Sequence, residues 1–434
     1  MTSRIFTLII SLFLAGSIQA SPKIEHWQTS NGGSVYFVAA PELAMVDVEI
    51  VFDAGSARDG ELSGSALLTN AMLNEGAAGL NTNEIAAEFE NVGAQFSNSS
   101  ERDMSVLSMR SLTADFALKP ALSVFHKVLT RPDFPVTSFE RMQKQMLIGL
   151  QAEKQSPAAI ASRAFYTNLY GKHPYADMPS GDESSVQKLN IATLKAFYQQ
   201  YYVAKNATVV LVGALSKQQA KDIAEQLLAD LPAGHKADPV AQVNELTSAT
   251  KIVIDHPSSQ THIVMGQPGI SRHDADYFAL YVGNHILGGS GLVSQLSNEI
   301  REKRGLSYSV YSYFRPMRES GPYQFGLQTR NDQTKEALDV MQKTLNDFID
   351  KGPTEAELTA AKQNITGGFA LRVDSNSKIA DYTAMIGFYD LPLDYLDTFN
   401  ANVNAITIQQ IKDAFTRRVH PDKMVTILVG GQAE

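Results

Sequence analysis

Arg301 and Tyr308 are the two residues whose types and spacing are most suggestive of chemistry in this sequence. A guanidinium and a phenol can both donate hydrogen bonds to a carbonyl oxygen and to the negative charge that develops on it as water attacks. Both residues also have ordinary structural uses, since an arginine can cap helix carbonyls and a tyrosine can pack half-buried on a sheet. Residue types alone favour the structural roles, so the surrounding sequence has to decide.

The residues around this pair predict a helix followed by a strand. Apolar residues at positions 292, 296 and 300 recur at the spacing of one helical face. Gly305 fits the turn that ends a helix, and residues 306–314 alternate as in a strand. Arg301 is therefore predicted in the last helical turn and Tyr308 on the strand that leaves it.

Other reactive or metal-binding arrangements find little support in the sequence. The chain has no cysteine, which excludes disulfides, thiolate zinc sites and thiol catalysis. None of its nine histidines lies four residues from another, the spacing that puts two imidazoles on one helical face. There is no Gly-x-Ser-x-Gly nucleophile turn and no Gly-x-x-x-x-Gly-Lys-Ser/Thr phosphate loop.

One region resembles a known zinc-binding family. Residues 51–59 read Val-Phe-Asp-Ala-Gly-Ser-Ala-Arg-Asp, and residues 64–77 read Gly-Ser-Ala-Leu-Leu-Thr-Asn-Ala-Met-Leu-Asn-Glu-Gly-Ala. Together they resemble the N-terminal strand and helix of the insulinase-type (M16) zinc metallopeptidases, whose helix carries the motif His-x-x-Glu-His. The two histidine ligands fall here on Leu67 and Ala71, and the general-base glutamate falls on Asn70. Leucine and alanine cannot coordinate a metal.

The resemblance extends to the rest of the family's active site. The third ligand, a glutamate, would fall near residues 146–148, yet residues 141–150 contain no Asp, Glu or His. We therefore expect no metal on this chain. Arg301 and Tyr308 fall, at the family's spacing, on the pair that binds the substrate backbone near the zinc of the facing domain. The resemblance makes them the expected substrate-binding residues.

Two stretches of the sequence share one pattern at a constant separation. Residues 186–195 align without gaps to residues 403–412, and the apolar segments 209–213 and 426–430 follow them. The separation is 217 residues both from 186 to 403 and from 213 to 430. Because each helix–strand pair closes its own half of the chain, we predict an internal duplication of domains.

The duplication defines the predicted domains and fold class. The first domain is predicted over residues 22–231 and the second over residues 250–434, joined by an exposed, flexible linker over residues 232–249. Each half begins with strands, continues with helices such as 139–154 and 334–351, and ends with a strand. The predicted fold class is α+β, with two duplicated domains, each a mostly antiparallel sheet packed with helices.

Residues 1–20 have the order of parts found in a secretory signal peptide. Arg4 supplies a positive charge, an apolar run follows, and Ala20 precedes the expected cleavage before Ser21. An apolar run of about a dozen residues is too short to span a bilayer. We expect a secreted, periplasmic protein with no membrane span after cleavage. The net charge of −9 argues against a nucleic-acid partner.

The resemblance also implies a function. In two-domain members of the family, one chain supplies zinc and a second chain faces it to complete the active site. A chain without zinc ligands that keeps Arg301 and Tyr308 is expected to be the non-catalytic subunit of a metalloendopeptidase heterodimer, with zinc on the partner and a peptide as substrate. The alternative is a structural or scaffolding homologue with no role in proteolysis.

Overall fold

The structure is a computed structural model that describes residues 23–431. The predicted signal peptide, residues 1–20, lies outside the described residues, so its cleavage and the secretion of the chain stay predictions. Within residues 23–431 no helix is long and apolar enough to cross a membrane.

The described part of the chain alternates between strands and helices in both halves. The strands are β1 (Ile24–Gln28), β2 (Ser34–Ala39), β3 (Met45–Phe52), β4 (Gly76–Ala77), β5 (Leu80–Asn81), β6 (Gln95–Ser100), β7 (Ser105–Leu112), β8 (Ala207–Gly213), β9 (Thr250–Asp255), β10 (Gln260–Pro268), β11 (Val310–Phe314), β12 (Pro322–Arg330) and β13 (Val425–Gly430). The α-helices are α1 (Ser65–Met72), α2 (Thr82–Glu90), α3 (Asp115–Thr130), α4 (Val136–Glu153), α5 (Pro157–Tyr170), α6 (Glu183–Lys188), α7 (Ile191–Tyr201), α8 (Lys217–Leu228), α9 (Tyr277–Asn284), α10 (Thr334–Lys351), α11 (Glu355–Gly367), α12 (Asn376–Phe388), α13 (Tyr395–Ala405) and α14 (Ile408–Arg418).

The strands form two large sheets of matching topology. The first has the order β1-β2-β8-β3-β7-β6 and the second the order β11-β12-β10-β13-β9. In each, the last strand of its half inserts beside an early one in parallel, β8 with β2 and β13 with β9, and all other pairs are antiparallel. The order β2-β8-β3-β7-β6 of the first sheet corresponds to the order β9-β13-β10-β12-β11 of the second, and β1 is an additional edge strand of the first sheet. The predicted α+β class with two duplicated, mostly antiparallel sheets is confirmed.

The repeated sequence pattern corresponds to repeated elements. Helices α7 and α14 both follow a polar residue, Asn190 and Thr407, whose side chain accepts a hydrogen bond from the first turn of the helix. The strands β8 and β13 that follow these helices are buried along their whole length. The helices predicted over 139–154 and 334–351 are α4 and α10. Local sequence pattern therefore located these elements correctly.

Each sheet is covered on one face by a helix from the other half of the chain. Helix α5 of the first half packs on β10 and β13, and helix α12 of the second half packs on β3 and β8. The approach of α12 is close, because a Cβ atom at Gly387 would lie 2.7 Å from the ring of Tyr36. This reciprocal helix exchange joins the two halves, since two of the three hydrophobic cores contain side chains from both, whereas the third belongs to the first half alone.

The segment between the halves lacks regular secondary structure but is held in place. Arg58 donates a hydrogen bond to the carbonyl of Asp238 at 2.6 Å, and the ring of His173 lies 2.7 Å from the carbonyl of Ala241. Between these contacts, Val240 is buried. Residues 232–249 are mostly exposed, and these two contacts tie the middle of the segment to the first half. The flexibility of the linker stays a prediction.

Candidate functional site

Helix α1 carries the three positions where the sequence departs from the zinc motif. It follows Gly64, whose φ is +98°, and the carboxylate of Asp59 accepts hydrogen bonds from the amides of Gly64 and Ala66, both at 2.7 Å. Asp59 therefore caps the helix in place of the side chain that Gly64 lacks. Burial raises the pKa of Asp59 to about 7, against the lowering effect of the two amides. Asp59 was not predicted from the sequence, where its one signal was an acidic residue shortly before the helix.

Asn70, at the position of the general base, is a buried structural residue. Its side-chain amide donates to the carbonyl of Val106 at 3.3 Å and to the hydroxyl of Tyr202 at 3.4 Å. The backbone carbonyl of Asn70 accepts a hydrogen bond from the side-chain amide of Asn98 at 2.7 Å. An amide has no lone pair basic enough to take a proton from water as a carboxylate does. The side chain thus joins α1 to its neighbours and has no catalytic capacity.

The ligand positions are occupied by apolar side chains. Leu67 and Ala71 are half-buried on α1, which packs against α4. On α4, where the third ligand would fall, Met146 and Leu147 pack against the core of the first half and Ile148 is 59% exposed. In the described part of the chain no group of three His, Cys, Asp or Glu residues could hold a metal ion. These positions offer zinc no hard or borderline ligand.

Arg301 and Tyr308 are brought together by a turn that ends a helix. Arg301 lies in the last turn of a π-helical segment, Ser297–Glu302. Gly305 has φ +61° and its amide donates to the carbonyl of Arg301 at 2.9 Å, as predicted for a helix C-terminal turn. The guanidinium carbon of Arg301 then lies 4.8 Å from the ring centroid of Tyr308, within cation–π distance.

Tyr308 lies in a loop, so its prediction as a strand residue was wrong. Strand β11 begins at Val310. Before it, the hydroxyl of Ser307 donates to the carbonyl of Ser309 at 2.7 Å, and the hydroxyl of Thr329 donates to the carbonyl of Leu306 at 2.6 Å. These side-chain bonds replace the strand ladder that the alternating pattern predicted.

The two side chains of the pair are available to a ligand. Tyr308 is 84% exposed, and within residues 23–431 its hydroxyl has no hydrogen-bond partner. The side chain of Arg301 is 27% exposed, and its one carboxylate neighbour in the described chain is Glu302, at 3.5 Å. Neither the sheet packing of Tyr308 nor the helix capping by Arg301 that residue types favoured is observed. The side chain of Tyr308 is open to solvent, and that of Arg301 is partly so.

Unlike the Arg301–Tyr308 pair, the neighbouring cations Lys303 and Arg304 are both bound to a carboxylate of the preceding helical segment. Lys303 and Arg304 both form ion pairs with Glu299, at 2.5 and 2.7 Å. Their hydrogen bonds lower the pKa of Glu299. Lys303 and Arg304 are exposed, and both are paired with the same carboxylate.

The structure does not join the two predicted sets of site residues. Leu67, Asn70 and Ala71 lie on α1 of the first half, whereas Arg301 and Tyr308 lie beside the second sheet. Across the described residues no hydrogen bond or ion pair links the two sets.

Comparisons with known proteins agree with this geometry. Residues 35–180 match the family described as "Insulinase (Peptidase family M16)", and residues 188–365 match the "Peptidase M16 inactive domain". A solved structure of a peptidase M16 inactive domain from Pseudomonas fluorescens is 42% identical and superposes with a TM-score of 0.92, covering 94% of this chain and 98% of that one.

Two further relatives are more distant in sequence. The "Non-peptidase homolog YmxG" of Helicobacter pylori is 26% identical over 423 residues, which is 95% of each chain. The "Mitochondrial-processing peptidase subunit beta" of Lentinula edodes is 22% identical over 385 residues, covering 85% of this chain and 81% of that protein. With the apolar ligand positions on α1 and α4, these matches lead to one conclusion: the chain belongs to the insulinase-type (M16) peptidase family, as a homologue that lacks the zinc motif.

Proposed function

We propose that this chain is the non-catalytic subunit of a periplasmic zinc peptidase of its family. It pairs with a zinc-bearing homologue and presents Arg301 and Tyr308 to the peptide that the partner cleaves. The observation that carries the proposal is the pair itself, an exposed phenol in contact with a guanidinium whose one carboxylate neighbour in the described chain is Glu302. The helix of the missing zinc site has kept its packing role and lost its ligands.

The names of the relatives support a role in an assembly. One relative is called a non-peptidase homologue and another is called a subunit of a processing peptidase. A chain that keeps the family's fold along its whole described length, but whose α1 cannot hold zinc, contributes to proteolysis through a partner. The periplasmic location rests on residues 1–20 alone.

The chemistry follows from the donors. The hydroxyl of Tyr308 and the guanidinium of Arg301 can both donate to the carbonyl oxygen of a bound peptide. They would stabilise the negative charge that develops on that oxygen as water attacks, and the partner's zinc would supply the activation of the water. Contact with the Tyr308 ring restricts the guanidinium of Arg301 before substrate arrives, which reduces the entropy cost of ordering it.

The test is turnover of a quenched-fluorescence peptide by the zinc-bearing homologue mixed with wild-type or variant chain. Arg301→Ala and Tyr308→Phe should each reduce turnover by about 10²–10³-fold, the usual cost of losing a donor to a developing oxyanion. Tyr308→Phe is the sharper variant, because it keeps the ring and removes only the hydroxyl. Gel filtration of each mixture should show unchanged assembly.

The matched control is Arg304→Ala, which removes the same side chain from a residue paired with Glu299. An exposed ion pair of this kind contributes about 0–1 kcal/mol, so turnover should stay close to wild type. Variants of Arg301 and Tyr308 that assemble and retain full turnover would contradict the proposal. The scaffolding alternative would then be the better account.

A further inference from the structure

A cavity of about 770 Å³ in the second half of the chain has no part in the proposed function. It lies between α9 with the π-helical segment His285–Gly289, strand β11, and the short 3₁₀ helix Phe369–Arg372. Cavities of about 300–1,000 Å³ are the usual size of ligand-binding sites in proteins. This cavity is therefore large enough for a short segment of peptide.

Two arginines give the cavity an uncompensated positive charge. Arg272 and Arg372 line it, and none of its lining residues among those described is Asp or Glu. Arg372 donates to the hydroxyl of Tyr281 at 2.9 Å, and the guanidinium of Arg272 lies 5.4 Å from the ring centroid of Tyr389. The Nε atom of Arg272 is buried without a hydrogen-bond partner in the described structure. Neither arginine is paired with a carboxylate there.

Two other titratable groups of the cavity have pKa values shifted in favour of their neutral forms. Burial raises the pKa of Tyr281, so its hydroxyl keeps its proton. Burial lowers the pKa of His285, and the charge of Arg372 lowers it further. The two guanidinium charges therefore stand alone, on a chain whose net charge is −9.

We propose that this cavity binds the carboxylate of an acidic residue in a peptide, held between Arg272 and Arg372. Guanidinium groups match the planar geometry of a carboxylate and form strong charge-assisted hydrogen bonds with it. Aromatic side chains surround the two arginines and can pack against the neighbouring parts of the peptide. The aromatic lining residues are Tyr277, Tyr281, Tyr311, Tyr313 and Phe314.

A peptide fits the cavity better than a small free anion for two reasons. The cavity is far larger than an inorganic anion, and nearly half of its lining residues are aromatic or glycine. It also adjoins Tyr308, because a second cavity of about 450 Å³ that Tyr308 lines shares Ser309, Tyr311 and Tyr313 with it. A peptide held at Tyr308 can therefore continue into the arginine cavity. In this respect the inference rests on the proposed function.

The test is calorimetric titration of the isolated chain at low salt with two blocked tetrapeptides, Ala-Phe-Glu-Ala and Ala-Phe-Gln-Ala. The Glu peptide should bind at least about tenfold more tightly, since hydrogen bonds to charged groups exceed those to neutral ones by about that factor. Raising the salt concentration should reduce this ratio. This comparison uses the wild-type chain and does not depend on any variant.

Arg272→Gln and Arg372→Gln should bring the Glu-to-Gln affinity ratio close to one. The control is Arg330→Gln, which removes the same charge from an exposed arginine of the second half that is paired with Asp332. This variant should keep the wild-type ratio. Thermal unfolding of each variant checks that its fold is retained.

Equal affinity of the wild-type chain for both peptides would overturn the inference, as would a ratio that survives in the Arg272→Gln/Arg372→Gln double variant. Inorganic phosphate, titrated alone, should bind more weakly than the Glu peptide. Phosphate binding as tight as the peptide's would show a site for a free anion and overturn the peptide assignment. These titrations contain no zinc-bearing partner, so their failure and a failure of the reconstituted turnover are independent results.

Discussion

Glu49 and Asp381 place two carboxyl groups together where the halves of the chain meet. Glu49 is a buried residue of β3, and Asp381 lies on α12, which packs on that strand. Burial, together with the neighbouring carboxyl groups of Asp381 and Asp47, raises the pKa of Glu49 to about 8. Burial also raises the pKa of Asp381. The pair therefore holds a proton that both groups would lose in the unfolded chain.

This proton makes stability depend on pH in a defined direction. In the folded chain Glu49 stays protonated from its ordinary pKa of 4.5 up to about 8, whereas in the unfolded chain it ionises in that window. Because the folded state binds more protons, the contribution of this group to folding stability is complete below pH 4.5 and is lost as the pH rises from 4.5 to about 8. Glu49→Gln cannot ionise and should be more stable than wild type at pH 8, by on the order of a few kcal/mol, with no gain at pH 4.

Urea denaturation at a series of pH values measures this difference. The control is Glu88→Gln, an exposed glutamate of α2, which should follow the wild-type curve. Parallel pH curves for Glu49→Gln and wild type would show that the carboxyl pair does not retain its proton.

At the scale of single residues, the sequence indicated which residues belong to the candidate site better than it indicated the contacts that those residues make. The contact of Arg301 with Tyr308 follows from their spacing across a helix-ending glycine, which is local information. That Tyr308 stands in a loop depends on Ser307 and Thr329, whose hydroxyls satisfy the carbonyls that a strand would have used. The hydrogen bonds of the buried Asn70 side chain, and the absence of a carboxylate beside Arg272 in the described chain, depend on residues distant in sequence. A single sequence does not show which distant residues are neighbours.

Helix α1 owes its start to a residue outside the helix. Its first turn contains no acidic residue and no side-chain cap, and Asp59 supplies both roles through its two 2.7 Å hydrogen bonds. Asp59→Ala should therefore destabilise the chain by about 1–2 kcal/mol, the typical cost of losing a helix cap. Asp59→Asn, which keeps one accepting oxygen, should cost less.

The midpoint of urea denaturation at pH 4 is the measurement, because the pKa of Asp59, raised by burial to about 7, makes its ionisation at higher pH destabilise the folded chain and would mask the loss of the cap. Identical midpoints for wild type and Asp59→Ala would mean that packing alone fixes the start of α1, and that the two amide bonds contribute nothing.

The apolar periodicity of the sequence predicted the positions of helices and strands well, but it did not predict which elements pack against each other. The helices α4, α7, α10 and α14 and the strands β8 and β13 were located because each satisfies its own periodicity. The reciprocal exchange of α5 and α12 was not predicted, because an apolar helical face shows that a helix is covered without showing which sheet covers it. The matched exchange is a consequence of the duplication, and it joins the two halves through contacts outside residues 232–249.

Asp103 is a central polar contact between the two halves. It is buried and accepts hydrogen bonds from the hydroxyl of Tyr175 in the first half at 2.5 Å and of Tyr389 in the second half at 2.9 Å. The backbone amide of Arg318 donates to it at 2.7 Å. Burial and the charge of Asp103 raise the pKa of both tyrosines, which keeps them protonated as donors.

Because the halves exchange helices, cutting the connection should not separate them. A protease site introduced at residues 247–249, which are exposed, should yield two fragments that elute together in gel filtration. Adding Asp103→Ala to the cut chain should lower the free energy of separating the fragments by about 2–4 kcal/mol, because two buried hydroxyls and one backbone amide lose their acceptor. The fragments should then separate at a lower urea concentration.

The matched control for that change is Asp222→Ala, at an exposed aspartate of α8, which should leave separation unchanged. Fragments that separate without denaturant would contradict the structural role assigned to the helix exchange.

Whether this chain has a zinc site of its own is tested most directly by elemental analysis of the purified mature protein, with peptide turnover measured on the same sample. Leu67, Asn70 and Ala71 provide no ligands, so zinc after dialysis should be far below one atom per chain and turnover should be absent. The zinc-bearing homologue, prepared in parallel, should retain about one zinc atom, as a site with three protein ligands does. About one tightly bound zinc per chain of this protein, or turnover by this chain alone that a chelator abolishes, would contradict its assignment as the non-catalytic subunit.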